Sequence, residues 1–155
     1  MKIYHLSRKI RLPITQDVAW AFFSNPASLS QLTPPDSRMV DESMEQPKKI
    51  YAGMLQVFRV SPVHWLPSVR WVAEITHVDA PNFFVDEQKV GPFAFWHHRH
   101  SVIPVASGVE IEDTVHYAMP FGILGELVHA LFVRKQLERL FEYRHTMLEE
   151  FFGET

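Results

Sequence analysis

The segment Trp96-His97-His98-Arg99-His100 gathers three of the nine histidines of the chain. On a strand, His98 and His100 point to the same face with Cα atoms about 7 Å apart. Two imidazoles so placed can bind a metal ion. A metal site of this pattern wants a Glu a few residues later and another His on a later strand. Ile103-Pro104-Val105 stands at the first place, and His116 has the opposite parity to Asp113. A hydrogen-bonded group therefore fits better, with His98 or His100 donating to Asp113, because a half-buried imidazole needs a partner. No metal and no cofactor are expected. Tyr117 shares the parity of Asp113 and joins His98, His100 and Asp113 as a polar group able to orient a ligand.

Other reactive residue types are weaker leads. Asp86 and Gln88 share a face within the acidic run Asp86-Glu87-Gln88. They are either a solvated hairpin edge or hydrogen-bonding partners inside the protein. Glu110 and Glu112 share a parity with Thr114 and His116, so they are expected to face water rather than form an acid/base pair. Ser107-Gly108 lacks the first glycine of a nucleophile elbow. Gly122 to Gly125 is only G-x-x-G and reads as a close turn into a helix, not a phosphate loop.

These residues need elements to carry them. Tyr4 to Leu12 alternates as a strand. Thr15 is an N-cap candidate for a short helix through Val18, Ala19, Phe22 and Phe23. A second short helix is expected over Pro26 to Leu32. Strands follow over Met39–Met44, Tyr51–Val60, Val69–Val78, Asn82–Lys89, Phe93–Ile103 and Val109–Met119, with hairpin-length connections that make the sheet antiparallel. From Gly122 to Phe151 the apolar residues recur at helical spacing. They predict one helix of about 28 residues whose apolar stripe lies on the sheet. An antiparallel sheet curled around a long helix can leave an apolar cavity, which is where small molecules commonly bind. Phe58, Trp71, Phe84 and Trp96 are the strand aromatics able to line it. Val63-His64-Trp65-Leu66-Pro67, and separately Phe121, Ile123 and Leu124, are either satellite core or an exposed gate able to touch a membrane or partner.

Composition narrows the classes. A chain of 155 residues suits a single domain spanning 1–155. A net charge of −3 gives no basic field for nucleic acid. With Cys 0, thiolate catalysis and disulfides are excluded. The chain begins without the apolar run of a signal peptide and contains no membrane-length apolar stretch, so a cytoplasmic location is expected.

The sequence resembles the SRPBCC superfamily: START-related lipid-transfer domains, the birch-pollen allergen fold, bacterial polyketide cyclase/dehydrase-like proteins and coenzyme Q-binding START-like proteins. The matching residues are Asn25 to Leu29 leading into Leu32-Thr33-Pro34-Pro35, Gly53-Met54, Trp71 to Ile75, Phe84 to Gln88, Gly91-Pro92-Phe93, Trp96 with His98 and His100, and Tyr117 to Gly122. The likeness covers essentially the whole chain and is strongest to a bacterial subgroup described only as SRPBCC or cyclase/dehydrase-like. It implies an α+β helix-grip fold, with about seven curved antiparallel strands around a long C-terminal helix and two short helices after the first strand. It further implies a cavity for a small hydrophobic or amphipathic ligand (lipid, polyketide or isoprenoid-like), lined by Phe58, Trp71, Phe84, Asp86, Gln88, Trp96, His98, His100, Asp113 and Tyr117. The alternative is a cyclase or dehydratase acting on a polyketide-like or aromatic substrate, with His98 or His100 as acid or base.

Overall fold

The computed structural model describes residues 1–61 and 67–153. Val63 to Leu66, one of the two candidate gates, lie outside the described residues. Seven strands form one antiparallel sheet: β1 (Tyr4–Leu12), β2 (Val40–Asp41), β3 (Leu55–Val60), β4 (Val69–Asp79), β5 (Phe83–Val90), β6 (Phe95–Val105) and β7 (Gly108–Ala118). Their order across the sheet is β1-β7-β6-β5-β4-β3-β2. Two short helices, α1 (Gln16–Phe23) and α2 (Ser28–Gln31), follow β1. The Thr15 hydroxyl accepts from the backbone N–H of Val18 at 3.3 Å and caps α1. A long helix closes the chain, with two α-helical parts, α3 (Gly122–Val128) and α4 (Arg134–Phe152), joined by a π-helical segment (His129–Val133). This is the helix-grip architecture. None of the described helices is long and apolar enough to cross a membrane.

Two strands are shorter than the alternation predicts. Tyr51 to Met54 forms a turn, in which Met54 N–H donates to Tyr51 O at 3.1 Å and Gly53 takes a φ of +91°, so β3 starts only at Leu55. The segment Met39–Met44 pairs with β3 over Val40–Asp41 alone. Register shifts at Val72/Ala73 and Ile75/His77 mark where β4 slips against β5. Such irregularities bend a strand and increase its twist, which lets a sheet curl around a helix.

The buried inner face divides into two apolar clusters. One, beneath α1 and the end of α4, contains Leu12, Phe84, Val102, Ile111 and Leu148. The other, nearer the start of α4, contains Leu6, Trp96, Val115, Tyr117, Leu137 and Phe141. On three elements a polar residue sits between members of the two clusters. His98 and His100 lie between Trp96 and Val102 on β6, Asp113 between Ile111 and Val115 on β7, and Arg144 between Phe141 and Leu148 on α4.

The second half of the C-terminal helix lays Leu137, Phe141 and Leu148 on the sheet as the apolar stripe predicts, but in the first half the stripe is not what faces it. The residues turned inward along its first half are Gly125, His129 and Val133, followed by Leu137 and Phe141, each four apart. An α-helix advances about 100° per residue, so a spacing of four drifts about 40° with every repeat. The wider π turn takes up part of that drift. The apolar set of the first half is thereby carried outward: Phe121 is 83% exposed and Ile123 87%, and Leu124, Leu127, Leu131 and Phe132 are exposed beside them. Gly125 is required at its place, because a Cβ there would run into the carbonyl oxygen of Pro120.

Candidate functional site

Cross-strand register assembles the site. Asp86 on β5 stands opposite His98 on β6, and His100 stands opposite Asp113 on β7. All four side chains point to the inner face, beneath α4. His98 Nε2 lies 2.9 Å from Asp113 Oδ1, and His100 Nδ1 lies 2.9 Å from the same oxygen. On the other side, His100 Nε2 is 2.8 Å from Asp86 Oδ2, and His98 Nδ1 is 3.5 Å from it. The two imidazole centroids are 3.7 Å apart. Trp96 Nε1–H donates to Asp86 Oδ1 at 3.3 Å.

Arg144 completes the group from the helix. It is only 6% exposed, and its Nη1 lies 3.6 Å from Asp113 Oδ1. Its Nε has no hydrogen-bond partner among the described residues. Apolar spacing on the helix does not reveal Arg144. The available signal was a cation three residues after Phe141 and four before Leu148, squarely on the inward stripe.

Burial and pairing set the charge states. Burial penalises the carboxylate of Asp113, but hydrogen bonds from His100 and His98 and the charge of Arg144 outweigh this and hold it well below the usual carboxylate range. Asp86 is held low in the same way, by the charge of His98 and the hydrogen bond with His100 winning over burial. The two histidines are pushed apart. Burial, reinforced by its neighbour His100, depresses His98. Burial acts on His100 as well, but its bonds to Asp113 and Asp86 reverse the sign and raise it.

The aromatic candidates lie on the same face. Phe84 stacks on His100, with centroids 4.2 Å apart. Phe58 is buried and pairs across the strands with Trp71, which is half-buried and meets Trp96 at 5.0 Å and Phe93 at 5.6 Å. Phe93 reaches Tyr117 at 5.6 Å. These rings pack together between the sheet and the start of α4. A hollow of about 590 Å³ does exist, but on the outer face among His97, Arg99, Glu112 and His116. Gln88 stands apart from the polar group: its amide donates to Phe93 O at 2.7 Å and accepts from Phe93 N–H at 3.3 Å, fastening the β5–β6 turn. Tyr117 does not join His98 and His100 either; its hydroxyl meets His129. Glu110 and Glu112 lie on the outer face in ion pairs with Lys9, Glu110 also with Arg11.

Asp86, His98 and His100 each present one metal-ligating atom, and the three atoms lie within 4.8 Å of one another. The arrangement thus combines two imidazoles, two carboxylates and a guanidinium at the junction of two apolar clusters.

No protein-family model matches the chain, and neither does any curated protein. Solved structures do. A protein of Chromobacterium violaceum superposes with a TM-score of 0.68 at 10% identity, over 100% of both chains. Ara h 8.0201 gives 0.62 at 12% identity, over 96% of this chain and 99% of its own. Norcoclaurine synthase of Thalictrum, solved as a point mutant with a transition-state analogue, gives 0.62 at 14% identity, over 97% and 95%. At these identities the likeness establishes the fold, along essentially the whole chain, and it is the helix-grip.

Proposed function

We propose that the chain is one ligand-binding domain that holds a small hydrophobic or amphipathic molecule between the sheet and the C-terminal helix. The observation that carries this reading is the unpartnered Nε of buried Arg144 beside Asp113. A buried N–H without an acceptor costs about 1–3 kcal/mol, and more when charged. A carboxylate, carbonyl or hydroxyl oxygen on a ligand removes that penalty. The apolar body of the ligand fits against Trp71, Phe93 and Trp96, at the end of the sheet where β7 passes into α3. Each apolar Å² it buries adds about 25 cal/mol before ordering costs. Lipid, polyketide-like and isoprenoid-like molecules all meet this description.

Native mass spectrometry of freshly purified protein, followed by solvent extraction, tests the reading. A stoichiometric lipophilic adduct lost in Arg144→Met supports it. A clean apo mass, with no thermal stabilisation of either protein by a panel of amphipathic acids and alcohols, overturns it.

A second reading, ring closure or dehydration of a polyketide-like or aromatic substrate, draws on the paired imidazoles. Each is oriented by a carboxylate, the geometry of a positioned base. Under that reading His98→Gln or His100→Gln loses turnover while binding persists.

A further inference from the structure

We propose that Asp86, His98 and His100 bind a divalent transition-metal ion of the zinc or ferrous kind. The proposal stands whether or not an organic ligand binds beside the ion.

The donor atoms are Asp86 Oδ2, His98 Nδ1 and His100 Nε2. The oxygen lies 3.5 Å and 2.8 Å from the two nitrogens. Ligands bound at about 2.0–2.1 Å around a tetrahedral ion sit about 3.3 Å from one another. The two oxygen–nitrogen separations bracket that value, and all three donors lie within 4.8 Å of one another, so binding draws the two nitrogens together around the ion.

The opposite ring nitrogens are held for the purpose. His98 Nε2 and His100 Nδ1 both meet Asp113 Oδ1 at 2.9 Å. A metal-bound imidazole typically gives its other N–H to a carboxylate, which fixes both the tautomer and the ring plane. Asp113 does this for both rings at once. With its Nε2 on Asp113 at 2.9 Å, His98 aims Nδ1 toward an oxygen of Asp86 at 3.5 Å.

The donor set selects the ion. Imidazole with carboxylate suits zinc, iron and cobalt rather than magnesium or calcium. Three protein ligands leave a position open. Asp86 and Asp113 balance the two charges of the ion, and Arg144, 3.6 Å from Asp113, adds a positive charge. An anion, such as a carboxylate or hydroxide, therefore suits the open position.

A rival lies on the outer face, where His5, His97 and His116 cluster. The ring of His116 is 4.8 Å from that of His5 and 6.3 Å from that of His97. Exposed imidazoles of this kind can take up an ion adventitiously, so the test separates the two faces. Chelator-treated protein is titrated with Zn²⁺ by calorimetry and with Co²⁺ by visible absorption. One equivalent is expected to bind. Asp86→Asn and His98→Gln abolish it, Asp113→Asn weakens it about 10–100-fold, and His116→Gln leaves it unchanged. Absence of binding to the wild type overturns the proposal, as does binding that survives His98→Gln and is lost in His116→Gln. If the inner-face variants fail to fold, X-ray absorption of the zinc-loaded wild type decides. Two imidazoles with an oxygen shell, unchanged in His116→Gln, fit the inner face, whereas another imidazole count, or its loss in His116→Gln, rejects it.

Discussion

The hydroxyl of Tyr117, at the end of the last strand, lies 2.8 Å from Nε2 of His129, at the start of the π turn. The ring of Tyr4 stacks on His129 with centroids 3.6 Å apart. This contact pins the middle of the helix to two strands where its leucines do not. It also explains why the inward face of the first half runs through a glycine and a histidine instead of through the apolar residues around them.

The contact should make stability depend on pH. Burial, with the charges of Lys2 and Arg134, holds His129 below its ordinary value of 6.5. As pH falls, the unfolded chain binds the proton first. The stability contributed by neutral His129 is complete above the ordinary value and is lost as pH drops below it. The melting temperature should therefore fall on going from neutral to mildly acid solution. His98 and His116 are depressed as well, so the comparison that isolates this contact is with His129→Gln, which accepts from Tyr117 without titrating. The variant should show a smaller fall. Identical pH dependence in the two proteins would count against the role given to His129.

The two halves of the helix should answer differently to truncation. Leu148 is fully buried in the first cluster, whereas Leu124 is exposed. Leu148→Ala should cost about 2–5 kcal/mol, and Leu124→Ala should stay within about 0.5 kcal/mol. Urea unfolding of both variants checks this. A large loss for Leu124→Ala would mean that the first half is packed in solution.

Asp113 should be the most sensitive member of the polar group. Asp113→Ala leaves two imidazoles and the Arg144 guanidinium buried without their common acceptor. Breaking a buried charge pair of this kind costs about 3–5 kcal/mol. Arg144→Met keeps a similar length of chain and removes an incompletely bonded cation, so its loss should be clearly smaller. Denaturant midpoints rank the two; the reverse order would remove Asp113 from the centre of the network.

The strands were readable because their burial follows period two. Parity puts His98 and His100 on one face of their strand and leaves Asp86 open between a solvated edge and the interior; the pairing of β5 with β6 turns it inward. Arg144 is not legible from apolar spacing, because a cation does not register in a pattern of hydrophobic residues even when it lies on the inward stripe. The phase of the helix was hidden for a different reason. A π turn carries no residue signature of its own, and the leucines of the first half recur at good helical spacing whichever side they face. Gln88 shows the limit of parity from another direction. It shares a face with Asp86, yet lies at the end of β5, where a turn offers its amide the backbone of Phe93.

The order of the strands also governs how copies of this chain meet. One border of the sheet, β2, is two residues long, and the other, β1, carries Arg8, Lys9 and Arg11 among its exposed positions. A border that is short or studded with like charges is a poor template for an incoming strand. Fibril growth by edge-to-edge addition is therefore disfavoured at both ends. Self-association under crowded conditions should instead begin at the uncovered leucines and phenylalanines of the helix, as a reversible, salt-promoted cloudiness with unchanged secondary structure.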